Sequence, residues 1–149
     1  MQRLRAAGTR AIFGVPGGGS NLDLIEAARG AGLPFILTST ETAGAIAAIA
    51  QAEISGAPGA CLTGIGPGAA SVVNGVACAF LDRVPLVVFT DAPAGTFEHQ
   101  RLDQRALLAP VTKWSAVISA DTVGDVMNEA IARAMAHPRG PVHVEFPNG

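Results

Sequence analysis

Short apolar runs alternate along the chain with stretches whose hydrophobic positions recur at helical spacing. Residues 1–8 place Leu4 and Ala7 on one face and close on Gly8, predicting the last turns of a helix with a left-handed cap. Residues 11–15 predict a short buried strand, ended by Pro16 and the run Gly17, Gly18, Gly19. Ser20 then reads as an N-cap, with Asp23 three residues on and Leu22, Ile25 and Ala28 as the apolar face of a helix that Gly30 and Gly32 end. A second strand over 35–37 leads through Glu41 into a helix over 42–55. Only Gln51 and Glu53 are strongly polar in that helix, so it should be buried in the core or at a subunit interface. After a turn at 56–59, a third strand over 60–63 runs into Gly64-Ile65-Gly66-Pro67-Gly68 and a further apolar helix over 69–81. The β-branched run at 86–90 predicts a central strand buried on both faces. A polar loop over 91–100 and a short helical pattern through 107–110 come next, then a fifth strand over 114–118. Asp121 or Thr122 caps a helix with Val126, Ala130, Ile131 and Ala134 on one face, and 142–146 form the sixth strand.

Strands and helices in this alternation predict a three-layer α/β fold: an open, mostly parallel six-stranded sheet with helices on both faces and right-handed crossovers. Residues 1–149 read as a single domain. Ligands of such sheets meet the carboxyl ends of the strands. That rule brings 17–20, Glu41, 64–68 and 91–100 to one edge. The helices over 42–55 and 69–81 are more apolar than one sheet face requires, which predicts a buried contact in a homo-oligomer.

Composition narrows the function classes. With 49% hydrophobic residues, 15% charged residues and a net charge of −2, the chain offers no basic stripe for nucleic acid. Residues 54–81 carry no Asp, Glu, Lys or Arg, yet their Gly and Pro break them into strand, turn and helix, so no membrane span is expected. The first ten residues have no apolar core of a secretory signal. Cys61 and Cys78 are too far apart for a CxxC motif and read as small buried hydrophobes, which suits a reducing cytoplasm.

Glu41 is the candidate for proton chemistry. A carboxylate at that place is either a helix N-terminal residue stabilised by the dipole or, among Ile, Ala and Gly, a desolvated acid suited to general acid or base work. The turn Gly17-Gly18-Gly19-Ser20 could hold an anion or simply turn the chain tightly. It matches neither the dinucleotide fingerprint nor the P-loop. His99, Gln100, Arg101, Asp103 and Arg105 form a polar cluster that would meet a substrate carboxylate or merely face solvent. His137, His143 and Trp114 read as structural, no His, Cys and carboxylate pattern has metal-ligand spacing, and no GxSxG elbow occurs.

FGVPGGGSNLDLIEA at 13–27, Glu41 in TSTETAGAIAA, LTGIGPGAASVVNGVACAFLDRVPLVVFTD at 62–91 and QRLDQRALLAPVTKW at 100–114 together resemble one family. It is the N-terminal pyrimidine-binding domain of thiamine diphosphate enzymes, in the group of acetolactate synthase, pyruvate oxidase and the 2-oxo acid decarboxylases. The resemblance implies that Glu41 bonds to a pyrimidine nitrogen of thiamine diphosphate and activates the aminopyrimidine for decarboxylation or carboligation of a small 2-oxo acid. It implies that Gly66, Pro67, Gly68 and Asn74 belong to the cofactor-binding side, and that Gly17, Gly18, Gly19 and Gln100 line the substrate side. Three departures touch substrate and reaction branch: Thr40 stands where the family often has His, Ala70-Ser71 where Thr-Asn is usual, and His99-Gln100-Arg101 where Phe-Gln-Glu is usual. The family also holds the diphosphate through Mg²⁺ on a separate domain marked by Gly-Asp-Gly and a downstream Asn, neither of which is in this chain; Gly124-Asp125-Val126 falls inside a predicted helix. The implied partner is therefore a diphosphate-binding domain or subunit, this chain being a fragment or one subunit of a larger enzyme and inactive alone. The alternative is a non-catalytic α/β domain that keeps the fold for assembly or small-ligand binding.

Overall fold

The computed structural model describes residues 1–92 and 100–147. In chain order the elements are α1 (Gln2–Ala6), β1 (Ile12–Val15), α2 (Ser20–Gly30), β2 (Phe35–Leu37), α3 (Glu41–Ser55), β3 (Gly59–Thr63), α4 (Pro67–Asp82), β4 (Leu86–Ala92), α5 (Gln104–Leu108), β5 (Ser115–Val117), α6 (Val123–Met135) and β6 (Pro141–Pro147). A 3-10 turn, Ala109–Val111, extends α5. The six strands form one sheet in the order β2-β1-β3-β4-β6-β5, and every neighbouring pair is parallel. The predicted α/β architecture is therefore present, with a wholly parallel sheet where a mostly parallel one was expected.

Alternation along the central strands feeds two cores. Ala60, Leu62, Val87, Phe89, Val142 and Val144 face α2 and α6, where they meet Leu24, Ala28, Met127, Ala130 and Ala134. Cys61, Leu86 and Val88 face the opposite way, toward Ala45, Ala48, Ile49, Val72, Val76 and Ala79 of α3 and α4. The unbroken apolar run of β4 follows from this, since a strand with helices on both faces has no solvent side to make polar.

Small residues set how closely α3 lies on the sheet. A Cβ at Gly44 would come within 2.7 Å of the Gly14 Cα, and one at Gly59 within 2.3 Å of the Ala48 carbonyl oxygen. A Cβ at Gly75 would stand 2.5 Å from that of Ala45, so α3 and α4 also touch at near-backbone distance. The alanine and glycine content that made these helices look unusually apolar is in part this close packing.

Some local expectations are corrected. Ser20 is the first residue of α2 and Gly19, at φ 57°, occupies the cap position, because the Ser20 hydroxyl is engaged by Asp91 instead. The buried face of α2 runs through Asn21, Leu24 and Ala28, while Leu22 is exposed. Strand β2 lies at the sheet edge, which leaves Ile36 and Leu37 open. Thr122 precedes α6 without capping it by its side chain; its hydroxyl accepts from the Ser119 N–H at 2.9 Å.

Candidate functional site

The carboxyl ends of β1 and β3 open into a cleft of about 270 Å³ walled by Pro16, Gly17, Gly18, Glu41, Gly64, Pro67, Gly68 and Gln100. Topology produces this meeting, since the loops leaving adjacent parallel strands emerge at the same edge. Glu41 arrives as the first residue of α3. Thr40 caps that helix in extended conformation, its hydroxyl accepting from the Ala43 N–H at 3.1 Å, so the carboxylate that follows is held at the positive end of the helix dipole. Thr42 donates to the Ser71 carbonyl at 2.5 Å and ties the start of α3 to α4.

Across the cleft, Pro67 is the first residue of α4, where its missing N–H costs nothing. Gly66 precedes it at φ 58°, and a Cβ there would lie 2.2 Å from the Gln100 carbonyl oxygen, so the position is restricted to glycine twice over. A Cβ on Gly68 would stand 3.5 Å from Glu41 Oε1 and 2.7 Å from Thr63 Oγ1; its absence leaves room in front of the carboxylate. On the third wall the Gly17 N–H donates to Asn21 Oδ1 at 2.9 Å, and Gly17 and Gly64 pack backbone to backbone.

Under these walls lies a layer of buried polar side chains at the ends of β4 and β6. Asp91 Oδ1 accepts from the Ser20 hydroxyl at 2.5 Å. Gln104, almost fully buried, accepts from the Gly66 N–H at 2.7 Å and donates to the Asp91 carbonyl at 2.7 Å and Glu145 Oε1 at 3.0 Å. His143 joins Thr90 at 2.8 Å and Ser115 at 3.1 Å through its two ring nitrogens. Burial pushes the pKa of Asp91 up, against the hydrogen bond from Ser20, and raises that of Glu145 against the bond from Gln104. The His143 ring is brought down to about 4, by burial first and by the nearby Arg105 charge second, and so stays neutral.

The sequence-predicted site residues divide accordingly. Glu41, Gly17, Gly18, Pro67, Gly68 and Gln100 meet in the cleft, and Gly66 stands directly behind it. Gly19 caps α2, and Asn74 is exposed on α4; neither lines the cleft. Glu41 is half-buried, so the surroundings of low polarity expected for it are incomplete within this chain. Of the predicted polar cluster, Gln100 lines the cleft, Arg101 and Arg105 are exposed, Asp103 caps α5 by accepting from the Ala106 N–H at 2.9 Å, and His99 lies outside the described residues. Cys61 is buried with its thiol pushed up to about 12 by desolvation, whereas Cys78 is partly exposed and directs Sγ to Asp82. Sequence reasoning missed Gln104, Glu145 and Asn21, and brought Asp91 to the site edge without its buried role. The one signal was placement, a polar side chain closing an otherwise apolar strand or turned inward on a short helix.

The walls offer one carboxylate, the amide residue Gln100, backbone groups and apolar or glycine surfaces, with no cation among the residues named. Among the described residues no group of three or more His, Cys, Asp and Glu side chains is placed to hold a metal ion. An aminopyrimidine fits this inventory; a diphosphate with its counter-ion does not.

Fold and cleft thus define an α/β ligand-binding domain with a single acid facing a glycine-proline wall. The chain belongs to the thiamine pyrophosphate enzyme family, as its N-terminal TPP binding domain, with residues 1–108 matching the family pattern. It is 36% identical to the acetolactate synthase isozyme 2 large subunit of Escherichia coli, over 99% of this chain and 28% of that protein. It is 34% identical to a probable 2-ketoarginine decarboxylase of Pseudomonas aeruginosa, over 94% of this chain and 26% of that one. A third relative, the acetolactate synthase large subunit of Lactococcus lactis, is 35% identical over 99% of this chain and 26% of its own length. The chain therefore spans about a quarter of the length of the curated relatives it matches.

Proposed function

We propose that this chain is the pyrimidine-binding half of a thiamine diphosphate-dependent 2-oxo acid decarboxylase or acetolactate synthase-like carboligase. The observation that carries the reading is Glu41 Oε1 lying 3.5 Å from where a Gly68 Cβ would stand, in a cleft whose described walls carry no cation. When bound, the cofactor supplies the electron sink for carbon–carbon cleavage next to a carbonyl. Glu41 would hold the pyrimidine through a hydrogen bond between its carboxylate and a ring nitrogen, and Pro67 and Gly68 would give the ring an apolar wall. Gly17, Gly18 and Gln100 border the side from which a small 2-oxo acid would approach.

The diphosphate and its Mg²⁺ belong to another domain of the same protein or to a partner subunit, which would also complete the burial of Glu41. Exposed Ile46, Ile54, Phe80 and Leu81 on α3 and α4 support a homo-oligomer, at the simplest a dimer. Two free cysteines suit a cytoplasmic site of action. No described helix is long and apolar enough to cross a membrane.

The test is Glu41→Gln in the full-length protein, with decarboxylation of 2-oxo acids followed at saturating cofactor. A fall in turnover of roughly 10²- to 10⁴-fold is expected, the range for a positioned acid or base. Turnover equal to wild type would refute the role of Glu41. A wild-type protein that binds thiamine diphosphate without acting on any 2-oxo acid would point to a non-catalytic domain.

A further inference from the structure

Gly66 spends its backbone N–H on a side chain from a distant part of the sequence. The acceptor is Gln104 Oε1, 2.7 Å away and 38 positions along the chain. The other end of the same amide donates to the Asp91 carbonyl at 2.7 Å and to Glu145 Oε1 at 3.0 Å, with Thr90 Oγ1 further off at 3.4 Å. Asp91 in turn grips Ser20 at the start of α2. The end of β4 is thus a shared anchor: its side chain fixes the helix behind Gly17 and Gly18, and its carbonyl fixes the glutamine that fixes Gly66.

The Gly66 carbonyl accepts the first bond of α4 from the Ala70 N–H at 2.9 Å, but its own N–H, in the cap position, has no helical acceptor. Some external acceptor must serve it, since a buried N–H without one would carry a desolvation penalty. Gln104 is almost fully buried and its amide is matched at both ends, which leaves it little freedom to swing. The wall made by Pro67 and Gly68 therefore takes its position relative to Glu41 from an amide that does not itself face the cleft.

We propose that Gln104 is a positioning residue, which sets the distance between the Pro67–Gly68 wall and Glu41 by tethering Gly66 to the carboxyl ends of β4 and β6. The inference rests on the reading of the cleft as a pyrimidine site.

Three measurements on the full-length protein test it, with Gln104→Met as a variant of similar length that removes both ends of the tether. Hydrogen exchange across residues 64–70, without cofactor, should quicken by at least about tenfold relative to residues 86–90. The Kd for thiamine diphosphate should rise, and kcat at saturating cofactor and substrate should fall, each by about tenfold. Exchange at wild-type rate in Gln104→Met would overturn the tether. Faster exchange with Kd and kcat unchanged, or a loss confined to melting temperature, would overturn the positioning role. A wild-type protein that binds no thiamine diphosphate would instead sink the functional reading, and the positioning role with it, while the exchange data would still report the tether.

Discussion

His143 stands fully buried on β6 between Thr90 and Ser115, and its pKa lies near 4 against an ordinary 6.5. The unfolded chain takes up a proton on this ring as pH falls through 6.5, while the folded chain resists until about 4. The stability contributed by the neutral ring is therefore complete above pH 6.5 and is lost on acidification toward pH 4. At most about 3 kcal/mol is at stake. Asp91 and Glu145 work in the opposite sense: their raised pKa values favour the protonated fold, and that contribution disappears as pH rises through their folded values. Urea unfolding at pH 7 and pH 4.5 should show a smaller acid loss in His143→Gln than in wild type. An equal loss in both would remove His143 as the cause. At this scale the sequence marked Glu41 and His143 in outline, the first as an acid and the second as structural. Gln104 escaped, and Asp91 was placed only at the edge, because a polar residue near a loop looks solvated until the chain folds over it.

At the scale of elements, α3 and α4 carry the two faces of the cleft and meet where Gly75 touches Ala45. Replacing Gly75 by Ala should gain up to about 1 kcal/mol in helix propensity. Against this, its new Cβ would stand 2.5 Å from that of Ala45, with the Thr42 carbonyl oxygen at 3.2 Å. Overpacking of this kind typically costs about 1–3 kcal/mol, so Gly75→Ala should lower the melting temperature and Gly75→Ala/Ala45→Gly should restore much of it. A rise in the melting temperature of the single variant would mean that the helices separate freely. The strands and most helices of this layer were legible from apolar runs and their Gly and Pro stops, within a few residues at each end. What failed was the start of α2 and its buried face. The reason is tertiary: Asp91 engages Ser20, and α2 turns Asn21 and Leu24 inward in place of Leu22.

At the scale of the whole molecule, the described residues bring an acid and an apolar wall to the cleft but no cationic cluster for a diphosphate, and the chain's net charge is −2. Calorimetry of this chain alone with thiamine diphosphate and Mg²⁺ should therefore show no binding at micromolar concentration, whereas the full-length protein should bind. Micromolar affinity in the isolated chain would end the argument for a shared site. The exposed Ile54 and Leu81 have the same origin as that missing affinity if the rest of the enzyme covers both.

By itself the sequence determined the alternation of strand and helix, the edge at which the glycine turns and Glu41 gather, and, through ordered motifs, the family. These follow from local periodicity, backbone-special residues and the handedness of parallel crossovers, all of which act over short stretches of chain. Only the tertiary structure decided which polar groups lie beneath the cleft, that the sheet is parallel throughout, and that Gly66 leans on Gln104. Each of those depends on distant segments meeting in a water-poor interior, where a hydrogen bond must be satisfied by whatever the fold brings within reach.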